Sequence, residues 1–402
     1  MKTCHFKKII LFSILLGLSQ VSWGADCTQT LSPGANVASA VSSAAAGSTI
    51  CLNNGDFGNV NLAGINKSNY VTVQSVSGRG ATISPQIGNS KFLRFTNLTI
   101  SGANINACSS NIQLTSSTFT QGAFVSDRGF NCTYPLNITI DGSTFSNLSG
   151  AGYEGRISVV DDDGHQPSLG VIISNNEIKD GCKSDGVFLA GGASGVQIGP
   201  GNVFNNIVQS GAIHCDNIQV YGSGWNNSII GNHFKTGSSF LMLVDSFDNG
   251  LIKNNIFDGT GDGAGVKLQI AQTSNTTIEH NTLKNAGMSI NLNSTATIKN
   301  NAFINSSYNP NAQGSIPGCS NCATSYNLST SAITGTNNIQ GTPTLVDGAS
   351  PTTWAGWQLT SGSLGYRNSS DGNDRGINYY GSGAVSLPSV SPLAAPSNLR
   401  VN

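Results

Sequence analysis

The chain has 402 residues, of which 49 are glycine and only 10% are charged, with a formal net charge of −1. So little charge leaves no basic footprint for nucleic acid or an anionic membrane surface, and neither is expected as a partner. A hydrophobic fraction of 38% suffices for a core, while the wealth of asparagine, serine, threonine and glycine points to turn-rich β architecture.

Residues 1–24 read as a signal peptide. Lys2, Lys7 and Lys8 precede the apolar run "IILFSILLGL", which is too short to span a bilayer, and Ser22 and Gly24 supply small residues ahead of Ala25. A secreted protein, extracellular or periplasmic and without a transmembrane anchor, is expected. Removing Cys4 with the signal leaves eight cysteines, an even number that suits disulfides in an exported chain. Pairing of neighbours is expected (Cys27–Cys51, Cys108–Cys132, Cys182–Cys215, Cys319–Cys322), although spacing leaves other connectivities open. Cys319 and Cys322 have zinc-knuckle spacing but lack a second half, which argues against zinc.

Further along, one pattern recurs: a β-branched residue, a short strand, an asparagine or small residue, then a large apolar residue. It reads "IQLTSSTF", "ITIDGSTF", "VIISNNEI", "VQIGPGNVF", "SIIGNHF", "LIKNNIF", "TTIEHNTL" and "ATIKNNAF". The closing apolar residues (Phe119, Phe145, Ile178, Phe204, Phe234, Phe257, Leu283 and Phe303) recur every 20 to 33 residues. Short strands at such a period, without helical periodicity, define a solenoid whose turns stack into one core. Asn176, Asn202, Asn232, Asn255, Asn281 and Asn301 would form a ladder between turns.

These residues resemble the right-handed parallel β-helix of the pectate-lyase-like superfamily over roughly Ile50 to Phe303. The resemblance implies an all-β, single-stranded right-handed parallel β-helix with an N-terminal cap and an irregular C-terminal cap, and a monomer. In "ANVASAVSSAAAGSTICLNNGDF" it implies a short amphipathic helix capping the first coil. The expected boundaries are a β-helix over 25–304, a Gly- and Ser-rich capping segment over 305–387 covering the edge of the last turn, and a Pro/Ser tail over 388–402.

A second strand precedes each repeat: "ISVV", "VFLA", "IQVY", "LMLV" and "VKLQI". Alternation turns Val187, Leu189, Ile218, Val220, Val266 and Leu268 inward. It predicts one outward column of Ser158, Phe188, Gln219, Met242 and Lys267, and a second of Ala190, Tyr221, Val244 and Gln269. Phe188, Gln219, Tyr221, Lys267 and Gln269 are thus candidates to contact sugar, unless the face is simply a solvated sheet.

Two stretches echo one another, "KSDGVFL" and "HCDNIQV". Aligning the strands stacks Asp185 on Asp216, and Tyr153, Lys183 and His214 in a column beside them, with Arg156 level with Asn217. An aspartate ahead of a strand is often only turn chemistry, accepting backbone N–H groups. In a chain so short of charge, the whole column exceeds what turns demand.

The resemblance implies a polysaccharide substrate, commonly a uronate polymer such as pectin or alginate, and cleavage by β-elimination. That reaction needs a base for the proton α to the carboxylate, an acid for the leaving oxygen, and positive charge for the transition state. His214 or Lys183 would be the base, Tyr153 the acid, and Arg156 the carboxylate clamp. Asp185 and Asp216 would instead serve a glycoside hydrolase, and C5 epimerisation begins with the same abstraction. The motifs of polygalacturonases, calcium-dependent pectate lyases and alginate epimerases are not matched. A non-catalytic glycan-binding or adhesin solenoid is the remaining class. Calcium is the cation that would suit Asp161, Asp162 and Asp163 in "DDDGH" with Asp245, as would a plain solvated turn.

Overall fold

The structure, a computed structural model, describes residues 26–150, 154–161, 168–209, 215–222, 224–261, 266–291, 293–306, 319 and 321–377. The signal peptide and the tail expected over 388–402 lie outside the described residues. Among them no helix is long and apolar enough to cross a membrane.

Each repeat closes one coil of three short strands. In one coil these are Val171–Ser174, Glu177–Lys179 and Asp185–Ala190, and in the next Val196–Ile198, Val203–Ile207 and Asp216–Tyr221. Every strand pairs in parallel with its counterpart one coil on, as Val171 does with Val196, Ile178 with Phe204 and Val187 with Ile218. Three parallel sheets thus run the length of a right-handed β-helix. Closing each coil satisfies all ladder groups except at the two ends, where edges need covering. At the start this is done by the helix Val37–Ser43, whose first turn is capped by Asn36 accepting from the Ser39 amide at 2.9 Å. Its Val37, Ala40 and Val41 are buried.

Period-2 alternation explains the core. Ile112, Ile138, Val171, Val196, Ile252 and Ile278 point inward from the first sheet, and Phe119, Phe145, Phe204, Phe234, Phe257 and Phe303 from the second. Phe234 stacks between Phe204 and Phe257 at centroid separations of 4.8 and 4.7 Å. Burial of each ring contributes roughly 1.5–3 kcal/mol.

Between the first and second strands the chain bends sharply. The residue before the ladder asparagine takes a left-handed conformation: Asn175, Asn254, Asn300, His280, Gly201 and Gly231 all have φ between 53° and 81°. Asparagine and glycine tolerate this region best, so each "NN" or "GN" pair is one bend residue followed by one rung. Asn255 Nδ2 donates to Ile229 O at 2.8 Å, and its Oδ1 accepts from the Asn232 amide at 3.0 Å. The ladder does not stop at Asn301. It continues through Asn327 to Asn338, with strands Ala323–Ser325, Leu328–Ser329 and Ile339–Gln340 extending the sheets. The coil therefore runs past the expected boundary at 304.

The following segment also departs from expectation. Rather than only covering the last edge, it returns along the flank of the helix. Leu345, Trp357, Leu359 and Ile377 form a second core with Ile256 and Ile304, on the outward side of the second sheet. Arg375 Nη1 ties it to the final coils by donating to Asn327 O and Asn337 O at 2.9 and 2.8 Å. His280 Nε2 meets Asp371 Oδ2 at 3.0 Å. All four expected cysteine pairs are disulfides.

Candidate functional site

The third strands set the register of the echoed stretches. Gly155 pairs with Asp185, Val187 with Ile218, and Asp216 with Ser239. Asp185 therefore stands level with Asp216, and the Asp216 amide donates to Asp185 Oδ1 at 2.8 Å. This is in part the turn chemistry expected of such aspartates. What exceeds it is burial: Asp185 is 3% exposed and Asp216 fully buried. Loss of hydration pushes the Asp185 carboxyl up to about 8, and the negative charges of Asp216 and Glu154 add to this. The Asp216 amide and Arg156 oppose it. Asp185 thus keeps its proton at neutral pH, so the pair need not carry two buried charges.

Lys183 is exposed and makes no ion pair or hydrogen bond among the described residues. Tyr153 and His214 lie outside the described residues, as do Asp162 and Asp163. The disulfide Cys182–Cys215 holds its two Cα atoms 5.6 Å apart. Lys183 follows one of these cysteines and His214 precedes the other.

Arg156, expected as a carboxylate clamp, is withdrawn from the surface. It stands level with Asn217 as expected, but its side chain is fully buried. Nη2 donates to Asp180 O and Gly181 O at 2.8 and 3.0 Å, and Nη1 to Lys179 O and Phe145 O. Burial draws its pKa down to about 10. With those donors turned to main-chain carbonyls, it fixes the loop that leads to Cys182 and Lys183.

Lys267 is likewise withdrawn. It is 6% exposed, donates to Gly237 O at 2.7 Å, and stands 5.9 Å from the Phe240 ring. The expected columns are also corrected, because Met242 pairs with Gln269. A register irregularity between Val266 and Leu268 accompanies this. The true column is Ser158, Phe188, Gln219, Met242 and Gln269. Phe188 is no open platform either, being buried with Val160 and Ala190 in a small outer cluster. Gln219 and Gln269 are half-buried, and Tyr221 is 57% exposed. The outward face therefore retains an amide row and one open ring.

Asp161 and Asp245 share one column, as their alignment predicts, but they are not neighbours in it. Asp161 is level with Gly191, then Gly222, then Asp245, because Val160 pairs with Ala190 and Ala190 with Tyr221. Three strand spacings, about 14 Å, are too far for one ion. Asp245 Oδ2 accepts from the Gly222 amide at 2.6 Å. Among the described residues no group of three His, Cys, Asp or Glu could hold a metal.

Three contributors were not singled out from sequence. Glu154 adds charge near Asp185. Asn217 and Ser239 are buried, and their side-chain polar atoms have no hydrogen-bond partner among the described residues. The only sequence signal was the place of Asn217 directly after Asp216.

Three stacked parallel sheets, an asparagine ladder and a helical N-terminal cap define a right-handed parallel β-helix protein. A family model described as a right handed beta helix region matches residues 157–339. No curated protein matches the sequence. Among solved structures, an arginine-to-alanine variant of AlyGC, an alginate lyase of family PL6, aligns with a TM-score of 0.53 at 12% identity, covering 87% of this chain and 56% of that one. AlyGC itself gives 0.51 at 12%, covering 79% and 53%. A mannuronic-acid-specific family 6 polysaccharide lyase from human gut microbiota gives 0.44 at 12%, covering 78% and 77%. The chain spans about half the length of the AlyGC chains it matches, and at this identity the likeness is one of fold.

Proposed function

We propose that the protein is a secreted lyase cleaving a uronate-containing polysaccharide by β-elimination, at the start of the two third strands where Asp185 and Asp216 meet. The carrying observation is this buried pair, one member of which holds a proton at neutral pH. Perturbed acids of this kind are concentrated at catalytic sites. The disulfide beside it draws together the chain neighbours of Lys183 and His214. In the proposed reaction His214 or Lys183 removes the proton α to the uronate carboxylate. The C4–C5 double bond forms as the C4–O bond breaks, and Tyr153 protonates the departing oxygen. The proton kept by Asp185 limits negative charge beside an anionic substrate. Arg156 acts indirectly, by holding the loop that carries Lys183.

A second reading, a non-catalytic glycan binder, is favoured by exposed Tyr221 beside the amides of Gln219 and Gln269. One assay separates the two. The protein is incubated with alginate, polygalacturonate and methylated pectin, with calcium and then with chelator, while ultraviolet absorbance reports the unsaturated product. A rise that disappears in Lys183→Ala or His214→Ala supports the lyase. Reducing ends without absorbance would mean hydrolysis using Asp185 and Asp216, and solvent hydrogen at C5 without cleavage would mean epimerisation. Silence in all three leaves the binder.

A further inference from the structure

Away from the third sheet, one half-buried side-chain network stands on an outward face of the helix. Tyr70, Phe92, Arg94 and Gln113 meet on the outward side of the first sheet, where Arg94 pairs with Thr72 on one side and Gln113 on the other. The Arg94 guanidinium carbon lies 4.7 Å from the centre of the Tyr70 ring. Arg94 Nε donates to Gln113 Oε1 at 2.6 Å, and Gln113 Nε2 donates to the Tyr70 hydroxyl at 3.1 Å. Phe92 stands edge-on to Tyr70 at 5.6 Å.

The guanidinium is thereby held over the Tyr70 ring, and its terminal nitrogens Nη1 and Nη2 have no partner among the described residues. A planar fork presented in this way matches a carboxylate bidentately. Phe92 has φ +59° within the strand Lys91–Thr96. A bulky residue rarely adopts that conformation and keeps it only where its surroundings enforce it. The same row continues through Thr139 and exposed Ile172 to Gln197, all uncharged. Asp141, an acid further along this face, is engaged by Ser174 Oγ and Asn175 Nδ2 at 2.7 Å each. Positive charge beside an aromatic edge, in no ion pair among the described residues, is complementary to an acidic sugar.

We propose that this face of the first sheet is a second glycan site that takes carboxylate-bearing polysaccharide. A uronate carboxylate would sit on the Nη fork of Arg94, and its pyranose ring would lie against Phe92. The site is separate from Asp185 and Asp216 and does not depend on elimination occurring there.

The test is affinity electrophoresis of the whole protein in native gels containing polygalacturonate or alginate, with a neutral galactan as control. A background carrying both Lys183→Ala and His214→Ala, which lacks either proposed base, keeps the polymer intact during the run. The acidic polymers should retard the parent and the galactan should not. Arg94→Gln should weaken retardation by about tenfold or more. Phe92→Gly should do likewise, and since glycine suits that φ, loss of folding is not at issue. Unchanged mobility of both variants, or equal retardation by galactan, would overturn the proposal. The absorbance assay on the parent reports separately on elimination, so the two readings fail independently.

Discussion

The Asp216 backbone amide donates to the Asp185 carboxyl oxygen Oδ1 across adjacent coils at 2.8 Å, beneath the surface of a chain in which only 10% of residues are charged. This one contact explains why two similar stretches recur, and it makes Asp185 the most informative residue to change.

Asp185→Asn keeps the acceptor for the Asp216 amide and removes the titration. In the folded protein the carboxyl sits at about 8, well above its ordinary value of 3.8. The stability tied to its proton is complete below pH 4 and is lost as pH rises through 8. The variant should therefore gain on the parent across that interval, by on the order of 2–4 kcal/mol at pH 8. Urea unfolding of both proteins at pH 4.5 and 8 measures it, and parallel behaviour would refute it. If the pair serves catalysis, the stabilised variant should also lose activity.

His233 tests the opposite sign. It is buried against Trp357, whose ring centre lies 5.8 Å away, and burial with nearby Lys235 lowers its pKa from 6.5 to about 3. The unfolded chain binds a proton that the native state refuses, so stability falls as pH drops from 6.5 towards 3. His233→Gln should flatten this dependence. The difference between variant and parent at pH 7 and 4, followed by tryptophan fluorescence, should change by roughly 2–3 kcal/mol.

Asn255→Ala removes a rung that both donates and accepts in the middle of the ladder. The Asn232 amide would be left buried without its acceptor and Ile229 O would lose one donor, at a cost of about 2–4 kcal/mol. Asn338→Ala, at the part-buried end of the ladder, should cost less than half as much. Equal losses in denaturant titrations would refute the ladder as a source of stability.

Arg156→Met should release the loop over 179–181 and take the Arg156 donors from Asp180 O and Gly181 O, while Lys179 O keeps the Asn147 amide, costing about 3 kcal/mol or more. Limited proteolysis should then cut the variant near Lys179 or Lys183 at temperatures where the parent resists. A loss of activity without that new cleavage would restore Arg156 as a direct substrate contact.

The period, the inward columns and the asparagine ladder were legible because they depend on local rules. Strand alternation and the bend asparagines act within a few residues, and stacking repeats them. The same alignment predicted the level of Asp185 with Asp216 and of Arg156 with Asn217. The fate of outward residues was not legible. Arg156, Lys267 and Phe188 all have the outward parity of their strands, yet each is buried. Whether an outward side chain meets water depends on what the connections lay over it. Arg156 turns to carbonyls at 179–181, and Lys267 to those at 237 and 238.

By itself the sequence determined the coil, since each stacked strand must put its apolar residues on one side. Only the tertiary structure decided which polar groups remain open. It withdrew Arg156 and Lys267 into the fold, left Lys183 and Tyr221 exposed, and sent the segment after Gln340 back along the flank. The physical reason is that a buried cation must find acceptors, and those that reach Arg156 and Lys267 come from loops whose paths no strand period encodes.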